Sequence, residues 1–189
     1  MDRNRNYKRI DQLIINSFVT ICGKEAPENI SVSKVCKEAD INRTTFYNHY
    51  KDIWEIIETI EGGIMGKISD ILAGFSFPGF MKDPYPTLSK LNQVIQEKPD
   101  YYQKLFELSQ SSFFIDKLKK FFKEKLLADK DFVKEYKSTS NATSAASFFV
   151  GGLANVYSDW LGKKIDCPLD EMVKMMCESI KSYAKTLSI

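Results

Sequence analysis

Apolar residues recur along this chain at the three- and four-residue spacing of helices, and no run sustains the two-residue alternation of an amphipathic strand. Ile10, Leu13, Ile14, Phe18 and Ile21 share one face of a first helix, which Gly23 and Pro27 bring to a close. A second, short helix is predicted over 33–39, capped by Ser31 or Ser33, with Val35, Cys36 and Ala39 turned inward. Asp40 and Ile41 then make a turn. Asn42 caps a third helix, whose Phe46 and Tyr50 stand one turn apart on the buried side.

From Asp52 a longer helix carries Ile53, Ile56, Ile57, Ile60, Ile64, Ile68, Ile71 and Leu72. It ends at FSFPGFMKDPYP, where three prolines and a glycine predict a loop. Further helices are expected at 87–97, 100–109, 112–128, 142–163 and 169–187, bounded by Pro99, the SQSS run, the STSNATS stretch and Cys167-Pro168. The expected fold class is all-α. A small three-helix unit over 1–52 is joined to a larger helical body over 53–189.

Composition narrows the class. A hydrophobic fraction of 43% and a charged fraction of 28% over 189 residues describe a globular chain rather than a disordered or fibrous one. The net charge of +2 is small for a protein that coats nucleic acid, but all of it lies in the first 52 residues, with nine basic side chains against seven acidic. Cys22, Cys36, Cys167 and Cys177 show no C-x-x-C spacing and His49 is the only histidine, which argues against a structural zinc site or a disulfide framework, and no cofactor is expected. No stretch approaches the ~20 apolar residues of a membrane span, and the first residues lack the apolar core of a signal peptide. The expected setting is the cytoplasm, with reduced thiols and no membrane contact.

The segment VSKVCKEADINRTTFYNHYKD has the parts of a helix-turn-helix: a small residue at the helix crossing (Ala39), an apolar residue in the turn (Ile41), and apolar anchors under the second helix (Phe46, Tyr50). Arg43, Thr44, Tyr47, Asn48 and His49 are left for the outer face. Arg43 is suited to a guanine edge and Asn48 to adenine, whereas Thr44, Tyr47, His49 and Lys51 suit phosphates. Arg3, Arg5, Lys8 and Arg9 are either a basic arm reaching DNA or a solvated terminus.

These residues resemble a known family. NRTTFYNHYKD looks like the T-F-Y-x-H-F-x-[DN]-K signature of the tetracycline-repressor (TetR) family, and S-V-x-x-V-C-K-E-A-D-I looks like its preceding helix and turn. The motif match covers roughly residues 7 to 60. It implies base or groove contacts from Ser33, Asn42, Arg43, Thr44 and Asn48, and phosphate contacts from Ser31, Thr45, Tyr47, His49 and Lys51. Two positions depart from the pattern. Asp40 stands where the family commonly has a glycine in a left-handed turn, and Ile53 stands where many members place a second lysine.

The resemblance also implies a sequence-specific regulator, usually a repressor, that binds double-stranded operator DNA as a homodimer and is released by a small hydrophobic or amphipathic effector. Met65, Phe75, Phe106, Phe114, Phe122 and Phe149 are candidates for an effector pocket, although aromatic residues at helical spacing also fill ordinary cores. Phe149, Gly152, Val156 and Trp160, with Met172, Met176, Ile180 and Tyr183, are candidates for the dimer interface, the alternative being burial inside one subunit. Gly62, Gly63 and Gly66 either hinge the long helix or allow close packing. A DNA-binding protein controlled by a protein partner, or lacking an effector, is the alternative function. An enzyme is disfavoured because no acid–base constellation or phosphate loop is present in the sequence.

Overall fold

The computed structural model describes residues 2–25, 27–109 and 113–187. Among these residues the chain forms eleven α-helices and no strand: α1 (Asp2–Cys22), α2 (Val32–Glu38), α3 (Arg43–Tyr47), α4 (Ile53–Ile71), α5 (Phe77–Lys82), α6 (Tyr85–Glu97), α7 (Pro99–Ser109), α8 (Phe113–Ala128), α9 (Lys130–Glu135), α10 (Thr139–Leu161) and α11 (Leu169–Leu187). They fall into two compact units, Met1–Met65 with Asp100–Ser111, and Gly66–Pro99 with Ser112–Ile189. The division between Met65 and Gly66 lies inside α4.

In the first unit α1 packs against α2, and α2 against α3. The buried stripe of α1 holds the expected Ile14, Phe18 and Ile21 and widens to Ile15, Val19 and Cys22, whereas Leu13 is exposed. Helix α1 already includes the positions of Arg5, Lys8 and Arg9, all three exposed, so the basic residues stand on a helix rather than on an extended arm. Val35, Cys36 and Ala39 of α2, Phe46 and Tyr50 around α3, and Ile53, Ile56, Ile60 and Ile64 of α4 complete the core as their spacing predicts.

The second unit contains two helices that the sequence pattern did not predict. Within FSFPGFMKDPYP, α5 forms because the Ser76 hydroxyl accepts the Gly79 N–H (3.4 Å) and Pro78 sits in the first turn, where its missing N–H costs nothing. Phe77 and Met81, four residues apart, are then buried together. Helix α9 begins at Asp129, whose Oδ1 accepts the N–H groups of Asp131 (2.9 Å) and Phe132 (3.0 Å) while Oδ2 accepts the Phe77 N–H (2.9 Å). A single carboxylate thus starts one helix and holds the other, and the Phe77 and Phe132 rings meet edge to face at 4.8 Å.

Helix α11 lays Met172, Val173, Met176, Ile180 and Ala184 into this core and packs on α5 and α6, while α10 packs on α8. Asn92, fully buried on α6, ties the layers: its amide donates to the Leu169 carbonyl (3.2 Å) and its Oδ1 accepts from the Tyr157 hydroxyl (2.8 Å). Both ends of a buried carboxamide are thereby satisfied, as burial requires.

Candidate nucleic-acid interface

The turn between α2 and α3 is closed by a Schellman arrangement. Ala39 ends α2 in a right-handed conformation, Asp40 follows in the left-handed region at φ 50°, and the N–H groups of Asp40 and Ile41 reach back to Lys37 O (3.4 Å) and Cys36 O (3.0 Å). The residue standing in the family's glycine position does adopt the glycine-like conformation. Asp is among the few side chains that visit this region, because its short polar group hydrogen-bonds locally.

Caps fix the two short helices. The Ser31 hydroxyl accepts the Lys34 N–H (3.3 Å), and Asn42 Oδ1 accepts the Thr45 N–H (2.7 Å). Ser31 is thus the cap of α2, and Ser33 is available elsewhere: it accepts a hydrogen bond from the Arg43 guanidinium, joining α2 to the first turn of α3. At the far end Asp52 Oδ1 accepts the Glu55 N–H (2.9 Å) and Glu55 reaches back to accept the Lys51 N–H (2.6 Å), a variant of the capping box that starts α4.

Ser33, Asn42, Arg43, Thr44, Asn48 and Lys51 are exposed, Tyr47 is 56% exposed, and Thr45 is half-buried. Beneath them Phe46 is fully buried and touches the Tyr47 and Tyr50 rings. Burial, reinforced by the Asp11 carboxylate, pushes the Tyr50 hydroxyl pKa up, which keeps that group neutral.

His49 departs from the expectation of an outward group. Its side chain is 4% exposed, its Nδ1 lies 3.6 Å from Asp11 Oδ1, and the Tyr7 ring stacks on it at 3.9 Å with an interplanar angle of 21°. The Tyr7 hydroxyl also donates to the Asn48 carbonyl oxygen (3.2 Å). Tyr7 and Asp11 were not among the expected site residues. Their four-residue spacing, continued by Ile14 and Phe18, was the available signal. Ile53 is buried, so the position that holds a lysine in many relatives here faces the core.

The other candidate groups divide differently from expectation. Phe75, Phe122 and Phe149 pack against the core of the second unit; Met65 and Phe106 belong to the first unit; the Phe114 side chain lies outside those described. Of the expected dimer residues, Met172, Met176 and Ile180 are buried within the single chain, and Tyr183 packs edge to face on Phe149 at 5.2 Å. Met172, Met176 and Ile180 thus pack into the chain's own core, while Tyr183 keeps part of its surface exposed. Phe149, Val156 and Trp160 are half-buried against the same core, while Gly152 is exposed.

An all-helical chain whose second and third helices meet through a tight left-handed turn, with a polar face outward, has the architecture of a helix-turn-helix regulator. Residues 82–182 match the TetR-type family described as "Transcriptional regulator C-terminal region". The chain belongs to the TetR family of transcriptional regulators. Among solved structures it is similar to a putative TetR-family transcriptional regulator from Syntrophomonas wolfei, with a TM-score of 0.64, 17% identity and 95% of each chain covered. It is also similar to the dihydroxyacetone kinase operon activator DhaS, with a TM-score of 0.58 and 18% identity over 94% of this chain and 97% of that one. No curated protein sequence matches the chain. No described helix is long and apolar enough to cross a membrane.

Proposed function

We propose that the chain binds double-stranded operator DNA sequence-specifically as a homodimer in the cytoplasm, and acts as a repressor released by a small hydrophobic or amphipathic effector. Residues 1–52 are the DNA-binding domain. Residues 53–189 bind the effector and pair the subunits, with the aromatic groups around Phe75, Phe122 and Phe149 as the candidate sensing region. An effector that favours one spacing of the two readers by about 1–3 kcal/mol changes operator affinity by roughly five- to 150-fold.

The observation that carries the reading is the outer face of α3, where Arg43, Thr44, Tyr47 and Asn48 stand exposed on a helix whose start is held by the Asn42 cap and the Ser33–Arg43 hydrogen bond. Arg43 addresses a guanine edge and Asn48 an adenine, with Ser33, Asn42 and Thr44 along the groove. Ser31, Thr45, Tyr47 and Lys51 position the reader on phosphates. Ser31 and Asn42 use their oxygens in caps, which leaves the hydroxyl proton of one and the NH2 of the other as the donating ends. His49, expected on a phosphate, has a buried side chain stacked against Tyr7, and its proposed part is to support α3.

Selection of genomic fragments bound by the intact protein, followed by titration across salt concentrations, tests this reading. Arg43→Ala should relax sequence preference at one base position. Lys51→Ala and Tyr47→Ala should weaken binding to all duplexes, and Lys51→Ala, which removes one phosphate contact from each subunit of the dimer, should reduce the slope of log affinity against log salt by about 1.8. An intact protein that retains no fragment would sink the reading. Thermal shift against a small-molecule library addresses the effector: a hit raises the melting temperature, whereas control by a protein partner yields none.

A further inference from the structure

Helix α3 has only five residues, too few to be stable by its own hydrogen bonds, so its direction is set by what its ends are tied to. Its beginning is held by Asn42 and by the Ser33–Arg43 pair. Its end is held from α1. Tyr7 and Asp11 stand one turn apart on α1; the Tyr7 ring covers the His49 imidazole, the Tyr7 hydroxyl donates to Asn48 O, and Asp11 Oδ1 lies 3.6 Å from His49 Nδ1. The Asn48 N–H meanwhile donates to Thr44 O (3.1 Å) and the His49 N–H to Phe46 O (2.9 Å), so both faces of the Asn48 peptide link are engaged.

A carboxamide that pairs with a base edge through two hydrogen bonds must be aimed within roughly 10–20° and ~0.5 Å. Asn48 closes α3 and projects its side chain to solvent, so its aim is inherited from its backbone. Only one group from another helix is bonded to that backbone among the hydrogen bonds described, and it is the Tyr7 hydroxyl.

We propose that Tyr7 is a positioning residue for base reading: through its bond to the Asn48 carbonyl it sets the direction from which the Asn48 carboxamide meets a base, while His49 and Asp11 form the support beneath the tyrosine ring. The inference rests on the DNA reading proposed above and adds specificity control from a residue on α1, outside the helix-turn-helix.

Tyr7→Phe keeps the ring stack and removes only the donor. The test uses the full-length protein, a duplex chosen from the bound fragments, and a set of duplexes with each half-site position substituted in turn. Asn48→Ala first identifies the position that Asn48 reads. Tyr7→Phe should then lower discrimination at that same position about three- to tenfold, part of the effect of a full bidentate pair, and leave the position read by Arg43 and the salt slope unchanged. The double variant Tyr7→Phe/Asn48→Ala should discriminate no worse than Asn48→Ala alone, since the tyrosine acts through the asparagine. Equal weakening on every duplex, or losses that add in the double variant, would show a packing role and overturn the proposal while the DNA reading stands. An Asn48→Ala variant that changes no base preference would overturn the proposal together with the adenine contact assigned to Asn48, while binding through the other contacts stands. An intact protein that binds no duplex overturns both the proposal and the DNA reading.

Discussion

Asp40 concentrates the local tension of the reader. A left-handed backbone at a residue with a Cβ costs roughly 1–2 kcal/mol, less for Asp than for most, and the Schellman hydrogen bonds of the turn offset it. Asp40→Gly should therefore stabilise the protein by up to about 1 kcal/mol, and Asp40→Val should destabilise it by roughly 1–2 kcal/mol, both read from urea unfolding midpoints. If valine were tolerated without loss, the turn would not need the left-handed conformation. The turn at this position was legible in the sequence, because turns depend on residues within a few positions, and its left-handed conformation was implied by the resemblance to the family's glycine. The direction of His49 was not. Its flanking residues say nothing about Tyr7, which meets the neighbouring Asn48 across 41 positions.

Two helices escaped the pattern because both are six residues long and rest on caps rather than periodicity. Proline and glycine in FSFPGFMKDPYP read as loop, yet the proline occupies the first helical turn and Ser76 supplies the cap. The stability of both helices converges on Asp129. Asp129→Ala removes the α9 cap and leaves the Phe77 N–H without its acceptor, for an expected loss of about 2–3 kcal/mol measured by chemical denaturation. A loss of only a few tenths would mean that the carboxylate is not the link.

Helix α4 presents the opposite case. A Cβ added at Gly62, Gly63 or Gly66 meets nothing within 4 Å among the described residues, so close packing against those residues does not explain the glycines. Alanine at 62 and 63 should stabilise the helix by up to about 1 kcal/mol each. If the glycines hinge the link between reader and sensor, the double variant should alter the response to effector more than effector-free operator affinity. An unchanged response removes the hinge.

Pairing of two subunits depends on which apolar surface the single chain leaves uncovered. The hydrophobic face of α11 is consumed by packing on α5 and α6. Helix α10 still presents Phe148, 72% exposed, in line with Gly152 and Asn155 at four- and seven-residue spacing, and α11 presents Met175. The proposed homodimer should therefore depend on Phe148. Phe148→Glu should yield a folded monomer by sedimentation velocity, and its operator affinity should drop at least tenfold because two half-sites are no longer read together. A Phe148→Glu protein that remains a dimer would place the interface elsewhere.

The helices of ten or more residues, the inward faces of α2 and α3, a turn at Asp40 and the outward Arg43, Thr44, Tyr47 and Asn48 were all readable from the chain alone. Each follows from hydrogen bonds and periodicity spanning a few residues. Three features needed the folded molecule: the burial of His49, the existence of α5 and α9, and the division of α10 and α11 between core and surface. Each turns on partners far apart in the chain, Phe77 and Asp129 by 52 positions, and an apolar stripe on one helix carries no mark of whether its own chain or a second copy will cover it.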